Sequence, residues 1–195
     1  TSIDTGIVII NIGNAGRNDI AGMIKKAVAE KPKLVGVDIL FNEPKDSSMD
    51  AALQQLFYTS NKIVLAYNLY AEKNIIKPTG FLYEKAKQKG YANFVGEEGG
   101  AIRYFAPRIK KDESAYQSFA AVLAQLAYPN EYDVLLERNK RTEQINYTHT
   151  SEKFIVMDGI EYLQNKAPEL SLNNKIVLLG YISPDPSNIE DKHFT

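Results

Sequence analysis

The segment LVGVDILFNEP, residues 34–44, carries the strongest indication of the fold class. Seven of its first eight residues are apolar or glycine, which is typical of a strand buried on both faces of a parallel sheet. Asp38 is the exception, and a carboxylate in such a strand needs hydrogen bonds or a counter-ion. Pro44 restricts Glu43 to an extended backbone, so a loop is expected to begin there.

The flanking segments alternate between apolar runs and amphipathic stretches. Runs rich in Ile and Val predict strands at residues 6–13, 33–41 and 62–69. Apolar stripes predict helices over residues 19–30 and after Ser47, where Ser47-x-x-Asp50 resembles a capping box. This β-α-β-α-β order predicts an α/β fold, with a mainly parallel sheet flanked by helices on both faces.

The second half of the chain shows a different pattern. GYANFV and AIRYFAPRIK indicate two strands around Gly99-Gly100, so a β-hairpin insertion is expected around residues 91–110. A helix is expected over residues 114–127, a short helix over 157–165 and a last buried strand in NKIVLLGYI. Neither repeats nor low-complexity tracts divide the sequence, so residues 1–195 are expected to form a single domain.

The composition argues against several classes of function. A net charge of -1 and a pI near 6.1 do not favour nucleic acid as a partner. The chain has no cysteine and no HExxH or other metal-binding pattern, so no metal and no cofactor are expected. No apolar run reaches 18 residues. The ends, TSIDTG without a Met and EDKHFT, indicate a piece of a longer protein.

Candidate ligand-binding residues lie where the predicted strands end. Ligands of parallel sheets bind at the carboxyl ends of the strands. Asn11, Asp38 and Gly180 lie near the ends of three predicted strands and would edge one crevice if those strands were neighbours. Asp38 could receive a ligand hydroxyl, amine or cation there. It could equally accept hydrogen bonds from loop amides or pair with Arg17, which would make it structural.

Several stretches, in order, resemble the CHASE2 family of extracytoplasmic sensory domains in bacterial membrane receptors. They are GVDILFNEP, KIVLA, GYANFVGEEGGAIRYFAP, YQSFAAVLA and NKIVLLGYISPDPSNIEDKHFT. The resemblance runs from residue 6 to residue 195. It implies a non-catalytic periplasmic domain of an inner-membrane protein, with membrane helices following Thr195. The implied partner is an unknown small-molecule or protein signal, and a homodimer is compatible with it.

The resemblance also suggests a network of charged groups. Arg17 and Asp38 match family positions and would converge at one end of the sheet, with Asp191 nearby. Such a network either pins the C-terminal segment or has two arrangements and passes a signal. Asn11 stands where the family usually has Asp, and Tyr181 where it usually has a small residue. The predicted ligand-binding or signalling residues are Asn11, Arg17, Asp38, Glu43, Tyr181 and Asp191.

Two other functions are open at this point. A soluble α/β enzyme would use Asp38, Glu43 or Asp191, although the sequence has no catalytic motif such as GxSxG. A scaffold or dimerisation domain would hold membrane helices together without a ligand. Membrane helices outside residues 1–195 would argue against the enzyme, and a deep pocket at the strand ends would favour the sensor over the scaffold.

Overall fold

The computed structural model describes residues 3–72, 75–93, 97–98, 101–111, 113–147 and 153–183. Its centre is a seven-stranded sheet. The strands are β1 (Asp4–Asn11), β2 (Leu34–Asp38), β3 (Ile63–Glu72), β4 (Ile75–Thr79), β5 (Gln88–Tyr91), β12 (Phe154–Asp158) and β13 (Ile176–Gly180). Their order is β12-β1-β13-β2-β3-β4, with β5 also paired to β3. Every pairing in this sheet is parallel except that of β4 with β3.

Helices cover both faces of the sheet. They are α1 (Arg17–Ala29), α2 (Ser47–Thr59), α3 (Phe119–Ala127), α4 (Pro129–Glu137) and α5 (Gly159–Leu163). Alternate residues of β2 reach opposite faces: Val35 and Val37 belong to the core cluster under α1, α2 and α5, whereas Leu34 packs with α3. The predicted fold class is therefore confirmed, with a mostly parallel central sheet in a single α/β domain.

The last of these strands in the chain lies inside the sheet. β13 is inserted between β1 and β2, and the register places Asn11 opposite Gly180 and Gly180 opposite Asp38. All three of these strands are parallel, so their carboxyl ends lie side by side at one edge of the sheet. β1, β13 and β2 are therefore neighbours, as the crevice predicted at Asn11, Asp38 and Gly180 requires.

The region of the expected hairpin contains short antiparallel pairs. β6 (Glu97–Glu98) pairs with β7 (Ala101–Ile102) around Gly99 and Gly100, which lie outside the described residues. β8 (Tyr104–Phe105) pairs with β11 (Glu143–Gln144), and β9 (Arg108–Lys111) pairs with β10 (Ser114–Gln117). The expectation that GYANFV forms a hairpin arm is wrong for Gly90 and Tyr91, which belong to the parallel strand β5.

Three expected helix starts also need correction. Residues 114–117 form β10, and α3 begins only after Ser118, whose side chain accepts a hydrogen bond from the Ala121 N–H at 3.1 Å. Met157 and Asp158 end β12, and the Asp158 carboxylate caps α5 through the Glu161 N–H at 2.8 Å. The cap of α2 is Asp46 rather than Ser47, because the Asp46 carboxylate accepts from the first free N–H groups.

Candidate functional site

The carboxyl edge of the sheet is formed by Asn11, Gly180 and Asp38, which lie in register on β1, β13 and β2. The α3 side of the sheet carries Ile7 on β1, Leu178 on β13 and Leu34 on β2. Side chains alternate along a strand, so Asn11, Gly180 and Asp38 all lie on this same side. We refer to Asn11, Gly180 and Asp38 as the strand-end row.

Asn11 binds the backbone of the segment that follows β13. Its Oδ1 accepts hydrogen bonds from the N–H groups of Gly13 at 3.1 Å and Ile182 at 2.9 Å, and its Nδ2 donates to the Ile182 carbonyl at 3.2 Å. The amide thus satisfies both backbone groups of Ile182, as a neighbouring strand would. We refer to the two hydrogen bonds between Asn11 and Ile182 as the clasp. Tyr181, next to this clasp, is 46% exposed, so its ring is available to a ligand or partner.

Asp38 has no partner among the described residues. No hydrogen bond or ion pair to its carboxylate occurs there, and the residue keeps part of its surface open to solvent. The protein atoms around the carboxylate still exclude much of the water, and this desolvation raises the pKa of Asp38 above its usual value. The expected ion pair of Asp38 with Arg17 is therefore not formed, and the carboxylate is left available to a ligand.

Arg17, at the start of α1, has other partners. Its guanidinium forms an ion pair with Asp50 of α2 and donates a second hydrogen bond to the backbone carbonyl of Glu43. The rings of Phe41 and Phe81 lie under the same group, with centroids 5.6 and 5.0 Å from Cζ. The Arg17 and Asp50 side chains are only 10% and 6% exposed, so this cluster ties α1, α2 and the loop after β2 together.

The structure thus separates the predicted site residues into two groups. Asn11, Asp38 and Tyr181 gather at the strand ends near the exit of the chain, whereas Arg17 and Glu43 meet beside α2. Glu43 contributes only its carbonyl to this cluster, and its side chain is exposed. Asp191 lies outside the described residues.

Sequence reasoning missed the role of Asp50. Ser47-x-x-Asp50 indicated a helix cap, yet the Asp50 carboxylate accepts from the Lys45 N–H at 2.8 Å and pairs with Arg17. The sequence did contain a signal for this role. Position 50 precedes Leu53 and Phe57 by one and two helical turns, so it is expected on the buried face of α2. A carboxylate on a buried helix face requires a counter-charge.

No group of three or more His, Asp or Glu side chains that could hold a metal ion occurs within the described ranges. Cavities of about 780, 550 and 500 Å³ are present, but none of these three is lined by Asn11, Asp38 or Tyr181. Within the same ranges, no helix has the length and apolar character needed to span a membrane.

The geometry defines a mainly parallel α/β domain in which the strand-end residue Asn11 holds the segment that follows β13. The family model of the CHASE2 domain matches residues 7–195, and the chain therefore belongs to the CHASE2 family. This is a family of extracytoplasmic sensory domains. Neither the search of curated proteins nor the search of solved structures gave a match.

Proposed function

We propose that this chain is the extracytoplasmic, periplasmic sensor of a bacterial transmembrane signalling protein. It binds a signal without catalysing a reaction and passes its bound state to membrane helices that follow residue 195. Membership of a sensory-domain family supports the general role. The proposed signal is a small molecule or a protein, and the proposed partner in the membrane is a second copy of the same chain.

The observation that carries the signalling part is the clasp of Ile182 by Asn11. This clasp joins the end of β1 to the first residues after β13, through both backbone groups of Ile182. Asp38 ends β2, which flanks β13 opposite to β1, and it is in register with Gly180. A ligand that binds the Asp38 carboxylate therefore acts within one residue pair of the chain's exit, where two arrangements of the clasp would give a two-state output.

The test uses the full-length protein in its own membrane. Asp38→Asn keeps the side-chain shape, removes the charge and breaks no described hydrogen bond, so the protein should reach normal levels. The signal concentration that gives half-maximal output, measured on the membrane fraction, should rise by about tenfold or more, since the loss of a ligand contact of about 1.4 kcal/mol weakens binding by that factor. Asn11→Leu removes the clasp and should fix the output in one state.

Controls separate these effects from general damage. Asp133→Asn changes an exposed carboxylate on α4 and should leave the output unchanged. An impermeant thiol reagent should label a cysteine placed at Tyr58, which is 64% exposed, in cells whose inner membrane is intact. Wild-type output from both Asp38→Asn and Asn11→Leu, or labelling only after lysis, would contradict the proposal.

A further inference from the structure

A second pocket lies away from the strand-end row, where β5 and β10 approach the turn that precedes β5. It has a volume of about 500 Å³, within the range of small-molecule sites in proteins. The side chains that matter for its chemistry are Tyr67, Tyr83, Lys89, Tyr116 and Gln117. None of the residues that line it is acidic, so hydrogen-bond donors and aromatic rings dominate its surface.

Lys89 places a positive charge in this pocket, and the nearby Glu84 interacts with it electrostatically. Its Nζ lies 4.2 Å from the centroid of the Tyr83 ring and donates one hydrogen bond, of 2.8 Å, to the Tyr83 carbonyl. No carboxylate lies within 4.0 Å of this ammonium group in the described part of the chain. Burial lowers the pKa of Lys89. An ammonium group has three N–H donors, so two remain available to an anion.

Tyr67 supplies a second hydrogen-bond donor to this pocket. The residue is only 4% exposed, and its ring meets that of Tyr83 edge-on, with 4.7 Å between centroids. Its hydroxyl has no hydrogen-bond partner among the described residues and keeps some solvent-accessible surface, so it is free to donate into the pocket. Burial, with Tyr83 and Tyr116 nearby, raises the pKa of Tyr67. The phenol therefore stays protonated and can donate to an anion.

We infer that this pocket binds a small organic acid, with its carboxylate between Lys89 and the Tyr67 hydroxyl and a planar apolar body against the tyrosine rings. Both polar groups are donors, and a carboxylate is acceptor-only. The aromatic walls favour a flat body over an inorganic anion, which would leave the rings without a contact. A cationic ligand would face the charge of Lys89, and none of the residues that line the pocket is acidic.

As a second ligand site of the sensor, besides the Asp38 carboxylate, this pocket rests on the proposed sensor function. Binding itself does not, because it can be measured on the chain without any output. If no carboxylate binds, the proposed role of the pocket is contradicted, while the strand-end variants still report on signalling. Conversely, binding at Lys89 would stand even if those variants had wild-type output.

The experiment titrates the 195-residue chain with benzoate and follows backbone amide shifts by NMR. Benzoate should bind with a dissociation constant on the order of 1 mM, as a small fragment does. Benzyl alcohol has the same ring without the charge and should bind at least about tenfold more weakly. Lys89→Met keeps the apolar stem and should weaken benzoate binding by about tenfold or more. Lys87→Met, at an exposed position on the same segment, should bind as the wild type does.

The residues whose amide shifts change identify the binding site even if Lys89→Met does not fold. In the wild-type chain, the largest benzoate-dependent shifts should fall at Tyr67, Lys89 and Tyr116. Shifts centred elsewhere, no saturable binding of benzoate, or equal binding of benzoate and benzyl alcohol would each overturn the inference.

Discussion

The guanidinium of Arg17 meets three kinds of partner at once: the carboxylate of Asp50, the carbonyl of Glu43 and the rings of Phe41 and Phe81. Only an arginine can serve all of these, because its planar group donates in several directions while its faces stack on aromatic rings. The resemblance pointed to Arg17 as a signalling residue. Its contacts and its burial indicate a structural role in joining α1 to α2.

Arg17→Met should destabilise the domain by about 3–5 kcal/mol, because it leaves the buried Asp50 carboxylate without a counter-charge. The double variant Arg17→Met/Asp50→Leu should lose less than Arg17→Met alone, since neither charge then remains buried. Urea denaturation followed by circular dichroism measures both values. Lys25→Met, at an exposed position on α1, is the control and should stay within about 0.5 kcal/mol of the wild type. A loss for Arg17→Met no larger than that of the control would contradict the structural role.

Helix α3 packs closely against the sheet at two glycines, Gly90 and Gly36. A Cβ on Gly90 of β5 would lie 2.5 Å from the Phe119 Cα and 2.6 Å from its N, so the first turn of α3 touches the strand backbone. A Cβ on Gly36 of β2 would lie 2.8 Å from the Leu178 side chain and 2.9 Å from the Phe119 ring. Gly180 is different, because a Cβ there would make only ordinary contacts of 3.6 Å with Asp38.

Gly90→Ala should therefore destabilise the domain by about 1–3 kcal/mol, the usual effect of overpacking, since backbone atoms of α3 would have to move. Gly180→Ala is the matched control, a strand-end glycine on the same side of the sheet, and should change stability by less than about 0.5 kcal/mol. Thermal unfolding of the two variants makes the comparison. Equal stability of Gly90→Ala and Gly180→Ala would show that α3 does not lie against β5 as described.

How far the sequence predicts the elements depends on how clear their apolar pattern is. β1, β2, β3 and β13 are continuous apolar runs, and α1 and α2 carry clear apolar stripes, so all six were predicted close to their observed bounds. β10 and β12 were missed because adjoining residues that favour helix misled the assignment, whereas β2 and β13, which are equally short, stand out as apolar runs. β6 and β7 have two residues each and flank the Gly99-Gly100 signal that predicted a hairpin, whereas the equally short pair β8–β11 joins distant segments and has no such signal.

The candidate sites divide in the same way. The strand-end row was predictable, because the carboxyl ends of neighbouring parallel strands must meet. The pairing of Arg17 with Asp50 was not, because it joins α1 to α2 across 33 positions of the chain and needs the packing of both helices. The tyrosine pocket was missed because its side chains come from separate segments, and the 12 tyrosines in the sequence indicated only a proper core.

The place of β13 in the whole sheet has a mechanical consequence. β13 lies between β1 and β2, parallel to both, and the exit of the chain follows its carboxyl end. A load drawn along β13 toward this exit, against the amino end of β1, shears the two strands past each other. All of their evenly spaced hydrogen bonds then resist together. The same load applied at the amino ends of both strands would open those bonds one at a time.

Pulling experiments on single molecules can separate these two geometries, since the chain has no cysteine and accepts defined pairs of thiol handles. Handles at Ile3→Cys and Tyr181→Cys, both exposed positions, load β1 and β13 in shear. Handles at Ile3→Cys and the exposed Asn173→Cys load the same two strands from one end. The first pair should unfold at a clearly higher force, because several hydrogen bonds must break at once. Equal forces, or a lower force for the Ile3–Tyr181 pair, would mean that β13 does not anchor the exit. In that case the clasp between Asn11 and Ile182 could not relay a change at the sheet edge to whatever follows it.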